Sequence, residues 1–157
     1  MPTGYGIATA DQGQLPWAWV EEQCTAARNY WICTTRPDGR PHAMPVWGLW
    51  LDDAVVFSTD PASVKARNFT ARPDVVVHLE SGDDAVIVEG RVEPMDRSLL
   101  PAFLDAYEAK YDHRPTHEQT GGVYVVRPAR VLAWREQDFP TSATRFVAVV
   151  PSAHDDG

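Results

Sequence analysis

Residues 42–51 read HAMPVWGLWL, and the fold turns on how this run is understood. As a strand it sends alternate side chains to opposite faces. His42, Met44, Val46, Gly48 and Trp50 fall on one face, and Ala43, Pro45, Trp47, Leu49 and Leu51 on the other. Both faces are apolar, so both need cover. One can line the interior of a barrel. In a chain of 157 residues the natural cover for the other is a ligand or a second subunit. Pro45 brings no N–H and removes a ladder donor, which suggests a sheet edge or a bulge where backbone groups are free for a ligand. Read alone, Trp47 and Trp50 also fit ordinary core packing, and His42 also fits a hydrogen-bonded histidine without a catalytic role.

Outward from this run the chain is mostly strand. YWICTT (30–35) precedes it through the turn chemistry of RPDGRP (36–41), and AVVFST (54–59) follows it through Asp52 and Asp53. PDVVVHLE (73–80), AVIVEGRVEPM (85–95), GGVYVVRPARVLAWRE (121–136) and RFVAVV (145–150) supply the remaining strands. Helices are expected at PWAWVEEQCTAARN (16–29), at DPASVKARNFTAR (60–72) with Asp60 as its cap, and at SLLPAFLDAYEAKY (98–111) with Ser98 as its cap. In the last of these, Leu99, Phe103 and Tyr107 recur at four-residue steps. Six or seven closely spaced strands with short helices between them predict a mainly β, small-barrel domain over residues 15–150. A doubly wound sheet would need a helix after nearly every strand. Residues 1–14 read as a loose lead-in and 151–157 as a tail.

A net charge of -8 argues against nucleic acid, whose phosphates need a broad basic surface. No apolar run is long enough to span a bilayer and the N-terminus lacks a basic start before an apolar stretch, so a cytoplasmic address is expected. Cys24 and Cys33 are too few and badly spaced for a zinc site. His113 and His117 stand four apart, but Pro115 between them disfavours the helix a metal pair needs. Asp83 and Asp84 read as turn residues.

Lys65 is one of only two lysines, and it lies in STDPASVKARNF (58–69) just past a strand end and a helix start. The first N–H groups of a helix point outward unpaired and attract anions. Ser58, Thr59, Ser63, Lys65, Arg67 and Asn68 add hydroxyl, cationic and amide donors, enough for one phosphate. Against this, Lys65 and Arg67 stand about 200° apart on an ideal helix. A solvent-facing helix whose charges touch nothing is the competing reading.

RPDGRPHAMPVWGLW, VVFSTDPASVKARNF, RPDVVVHLESGDDAVIVEG and DFPTSATRF occur in that order. Together they resemble the split β-barrel flavin and deazaflavin proteins, the superfamily of pyridoxamine 5'-phosphate oxidase, over roughly residues 15–146. Within it the chain is most similar to the actinobacterial coenzyme F420-dependent oxidoreductases. The resemblance implies a dimeric split β-barrel with F420, or alternatively FMN, at the subunit interface. It implies that Lys65, with Arg67 and Asn68, binds the cofactor phosphate, supported by Ser58 and Thr59. His42, Val46 and Trp47 then lie beneath the tricyclic ring, and the SGDDAVIVEG hairpin lies against the second subunit. One departure stands out: many F420-binding relatives carry arginine where this chain has Ser63, so phosphate is held more weakly here or Arg145 compensates.

The activity implied is hydride transfer between a reduced deazaflavin and an electron-poor small molecule. The alternatives are an FMN-dependent oxidase or reductase and a non-catalytic cofactor- or haem-binding barrel. His42 and Tyr124 are the candidates for a proton donor, and neither is singled out.

Overall fold

The computed structural model describes residues 14–116 and 118–147. Strands β1 (Tyr30–Thr35), β2 (Pro41–Val46), β3 (Gly48–Leu51), β4 (Ala54–Ser58), β5 (Asp74–His78), β6 (Asp84–Pro94), β7 (Val123–Arg135) and β8 (Thr144–Val147) form one antiparallel sheet. Helices α1 (Trp17–Ala26), α2 (Val64–Ala71), α3 (Leu100–Tyr111) and α4 (Phe139–Ser142) flank it. Residues 1–13 of the expected lead-in at 1–14, the tail at 151–157, the end of the last predicted strand and His117 lie outside the described residues.

The sheet runs β2-β1-β5-β6-β7-β4-β3, with β8 pairing β7 beside β4. Its two edge strands, β2 and β3, are consecutive in the chain and joined by Trp47 alone. The sheet therefore curls into a split β-barrel, closed at one point by the chain and not by a ladder between β2 and β3. This break makes eight strands where six or seven were expected. HAMPVWGLWL is two strands that part at Trp47, β2 pairing with β1 and β3 with β4, and Gly48 at the start of β3 leaves no room for a side chain: a Cβ there would stand 3.0 Å from the Val56 carbonyl oxygen and 3.2 Å from the Tyr30 ring.

Alternation nevertheless continues across the break. Val46 and Trp50 pack toward the barrel core of Tyr30, Ile32, Phe57, Phe69, Val77, Val88 and Val126, while Leu49 and Leu51 pack outward under α3 with Val56, Phe103 and Val125.

The turn from β1 to β2 carries Gly39 at φ 87°, the left-handed region that glycine enters without strain. Beside it the Arg36 N–H donates to the Arg40 carbonyl at 2.9 Å, which makes 36/40 a bonded pair. Bonded and non-bonded pairs alternate along an antiparallel ladder. Thr35/Pro41, Cys33/Ala43 and Trp31/Pro45 are thus non-bonded. Pro41 and Pro45 therefore stand where an N–H would point away from β1, and Pro45 costs the ladder nothing. The edge expected for Pro45 is present; the lost ladder donor is not.

Two caps differ from expectation. Ser63, not Asp60, is the N-cap of α2: its hydroxyl accepts from the Ala66 N–H at 3.2 Å, while Asp60 accepts from the Ala62 N–H in the turn before. Ahead of α3, a 3-10 turn at Arg97–Leu99 is capped by Asp96, which accepts from the Ser98 N–H at 2.9 Å. Ser98 is thus inside that turn and caps nothing. Among the described residues no helix is long and apolar enough to cross a membrane.

Candidate functional site

The first turn of α2 leans on the end of β4. Thr59 donates its N–H to the Gly122 carbonyl at 2.9 Å, and its hydroxyl lies 3.2 Å from that of Ser63. Asn68, one helical turn on, is buried and donates from Nδ2 to the Thr34 hydroxyl at 3.0 Å, fastening α2 to β1. Phe69 packs edge-on against Phe57 and Tyr124 in the barrel core. These contacts set the height of Lys65, which is half-buried; desolvation lowers the pKa of its ammonium from the ordinary lysine value.

Facing it across the β1–β2 hairpin is His42. Directly opposed residues share a face of an antiparallel pair, so His42, Met44 and Val46 stand with the buried Thr34, Ile32 and Tyr30. Burial lowers the pKa of the His42 imidazole, and the charges of Arg36 and Lys65 lower it further. Three cationic or ionisable groups thus converge. His42 Nδ1 and Arg36 Nε are both shut off from solvent with no hydrogen-bond partner, and Lys65 has no ion pair among the described residues. Leaving such atoms unpaired costs about 1–3 kcal/mol each. An anion placed among them would remove that cost and reverse the mutual repulsion. The residues therefore fit a phosphate.

The remaining expected site residues do not all reach this point. Ser58 donates its hydroxyl to the Gln119 carbonyl and lines a separate cavity of about 510 Å³ with Asp60, Tyr107 and His113. Arg67 is exposed and lines another, of about 380 Å³, with Arg36 and Arg40. The helical separation of Lys65 from Arg67 is thus maintained. Ser63 spends its hydroxyl on the cap. Arg145 is on β8, in register with Leu132 of β7, and not on the strands that α2 packs against.

Trp47, just past the end of β2, turns to the α3 side, opposite to the row of His42, Met44 and Val46. Its indole stacks parallel on Tyr111 at 4.6 Å, with the Arg28 guanidinium 4.8 Å from its centre. The C-terminus of α3 holds the neighbouring residue in place. Tyr111 OH accepts from the Gly48 N–H at 2.9 Å and donates to the Arg28 carbonyl at 2.7 Å, and Lys110 Nζ donates to the Gly48 carbonyl at 3.0 Å. Burial pulls the pKa of Lys110 down to about 8. Between His42 and Val46 the row is open, with Met44 47% exposed. Sequence reading missed Arg36, Arg28, Lys110 and Tyr111. Counting register back from Gly39 would have found Arg36, since it sets Thr34 opposite His42 and Arg36 next to both.

His42 belongs both to the cationic cluster and to the open apolar row, and the fold around them is shared with known proteins. Among solved structures, an F420 reductase is similar with a TM-score of 0.59 at 25% identity, covering 83% of this chain and 98% of its own. A conserved hypothetical protein from Mycobacterium tuberculosis is similar with a TM-score of 0.70 at 23% identity, covering 92% and 97%. A pyridoxamine 5'-phosphate oxidase-related, FMN-binding protein from Nostoc punctiforme shares the fold with a TM-score of 0.58 at 15% identity, covering 87% and 98%. No curated protein matches the chain. The family profile of pyridoxamine 5'-phosphate oxidase matches residues 17–135, from the start of α1 to the end of β7. The chain therefore belongs to the pyridoxamine 5'-phosphate oxidase family.

Proposed function

We propose that the protein is an F420-dependent oxidoreductase that transfers a hydride between the reduced deazaflavin and an electron-poor small molecule. The observation that carries this reading is the pair of solvent-excluded, unpartnered atoms, Arg36 Nε and His42 Nδ1, beside the Lys65 ammonium, which has no ion pair among the described residues, and next to an uncovered apolar row. Similarity to the F420 reductase favours the deazaflavin over FMN.

Lys65, His42 and Arg36 hold the phosphate. Ser63 and Thr59 shape the first turn of α2, Ser58 ties the β4 end to the 112–122 loop, and Asn68 fixes the helix on β1. Val46 bears the ring, Trp47 borders it from the α3 side, Arg67 faces the outer part of the cofactor, and a second copy of the chain covers the exposed face. The deazaflavin supplies the hydride chemistry when bound. The protein supplies position, and orientation alone lowers such barriers by up to about 7–11 kcal/mol.

Side-by-side titration with F420 and FMN tests the reading. F420 binds more tightly, and its reduced form is then consumed with a panel of enones or quinones. A protein that purifies yellow with FMN and ignores F420 overturns the proposal in favour of the flavin. Binding without turnover across the panel indicates a carrier.

The cradle also makes binding pH-dependent. F420's phosphate is a diester with no second ionisation near neutrality, so the titrating group is His42, whose pKa in the free protein lies below the ordinary histidine value. An anion beside it stabilises the imidazolium and raises that pKa, so binding takes up a proton. Affinity therefore increases as pH falls through the window between the two values. NMR titration of the His42 ring with and without F420 measures the shift directly; an unmoved His42 resonance removes it from the cradle.

A further inference from the structure

The C-terminus of α3 reaches the point where the chain alone closes the barrel, and Lys110 ties it there. Its Nζ donates to the Tyr30 hydroxyl at 3.0 Å and to the Gly48 carbonyl at 3.0 Å. The Tyr30 hydroxyl gives its own proton to the Cys24 carbonyl, so toward Lys110 it only accepts. A carbonyl oxygen likewise only accepts. Both contacts therefore take a hydrogen from Nζ, and two hydrogens are what a neutral primary amine carries. Losing the third proton breaks neither contact, and the position it vacates becomes a lone pair.

The surroundings favour that loss. The half-buried Nζ lies 4.8 Å from the centre of the Tyr30 ring and 5.2 Å from that of Tyr111. It has no ion pair among the described residues. From α1 the Cys24 thiol acts on it, but burial pushes that thiol's own pKa up to about 12 and keeps it neutral. Tyr30 of β1 and Tyr111 of α3 are phenols whose pKa values burial also raises. The Arg28 guanidinium, 6.0 Å from the centre of the Tyr111 ring, is itself a cation. With no paired carboxylate to hold the ammonium form, burial brings the pKa of Lys110 to about 8.

We propose that Lys110 is an acylation site, at which a small acyl group carried as a thioester is transferred to Nζ. The amine lone pair attacks the carbonyl carbon, the carbon–sulfur bond breaks, and an amine hydrogen leaves as the proton of the released thiol. An amide and a thiol are the products, and nothing is oxidised or reduced. The acylated nitrogen keeps one hydrogen, so it holds Tyr30 or Gly48 but not both. Its charge is gone as well, which ends the cation–π contacts with the two tyrosine rings. Trp47 stacks on one of those rings, Tyr111. Acylation therefore loosens the junction between β2 and β3 from the α3 side, whichever cofactor the barrel takes.

The test incubates the intact chain with S-acetyl-N-acetylcysteamine, a small neutral thioester, between about pH 6 and 10. Peptide mapping follows Lys110 apart from Lys65, the only other lysine. A synthetic peptide of residues 104–112 presents the same lysine without the fold. At about pH 7.5, roughly a quarter of an amine with a pKa of about 8 is neutral, against about 0.1% of an ordinary lysine. Lower basicity offsets part of that gain, so Lys110 in the folded chain reacts about tenfold faster than in the peptide. Its rate levels off above about pH 8.5, whereas the peptide's climbs to about pH 10. A rate no greater than the peptide's, or a profile that climbs with it, overturns the site. Amide hydrogen exchange at Gly48 is faster in the acetylated chain than in the unmodified one, and unchanged exchange overturns the loosening of the junction.

Discussion

Lys65→Ala weakens F420 binding by about 1.5–3 kcal/mol, the contribution of a hydrogen bond to a charged group, or about 10- to 150-fold in affinity. The loss is specific to binding. Lys65 has no ion pair among the described residues, and desolvation already penalises its charge. Its removal therefore leaves thermal stability unchanged or slightly raised. It also takes away one of the two charges that depress His42, so the His42 pKa in the free protein moves up toward the ordinary value. A fluorescence titration and an NMR pH series on the same variant check both. Unchanged affinity excludes Lys65 from the site, and Lys65→Arg, which keeps the charge, restores most of the binding.

Phe57→Ala has the largest expected effect on stability, about 3–5 kcal/mol by urea denaturation, the usual range for emptying a buried phenylalanine site. Phe57 is fully buried on β4, where it opposes Gly48 on β3 and Tyr124 on β7. Its ring meets Phe69 of α2 edge-on at 6.1 Å. The ring thus supports the inside of the barrel and seats the helix that presents Lys65. Cofactor affinity consequently drops in Phe57→Ala although Phe57 never meets the ligand. Phe57→Leu, which keeps most of the volume, costs less than about 1.5 kcal/mol and retains binding. Full affinity in a Phe57→Ala protein that still folds would falsify the claim that this packing positions α2.

Much of this architecture is legible in the chain because local signals agree with one another. YWICTT and AVVFST are β-rich runs bounded by turn residues, and both strands appear within a residue of their expected limits. The break at Trp47 is not legible. Apolar residues continue on both faces through it, and the two segments part to pair with different strands, β2 with β1 and β3 with β4, which only tertiary structure sets. The cap of α2 is a similar case. Asp60 and Ser63 are both capping types, and propensity alone does not choose between them. α4 spans four residues, Phe139–Ser142, too few to carry a helical period.

The site divides along the same line. Lys65 and His42 are visible in the sequence as unusual residues in plausible places, but their meeting depends on strand register. Arg36 sits in a turn whose composition already explains it, so nothing local marks it as part of the cradle. The aromatic support of Trp47 comes from α3, more than sixty residues away in the chain, as the 63-residue separation of Gly48 and Tyr111 shows.

The placement of Pro41 and Pro45 also bears on how copies of the chain can meet. Of the outward positions 41, 43 and 45 on β2, only Ala43 offers a backbone donor. A strand from a neighbouring molecule finds almost no ladder to extend, so the border resists templated growth into fibrils. Any partner that docks here must do so through side chains, which leaves the border free of a competing main-chain seam.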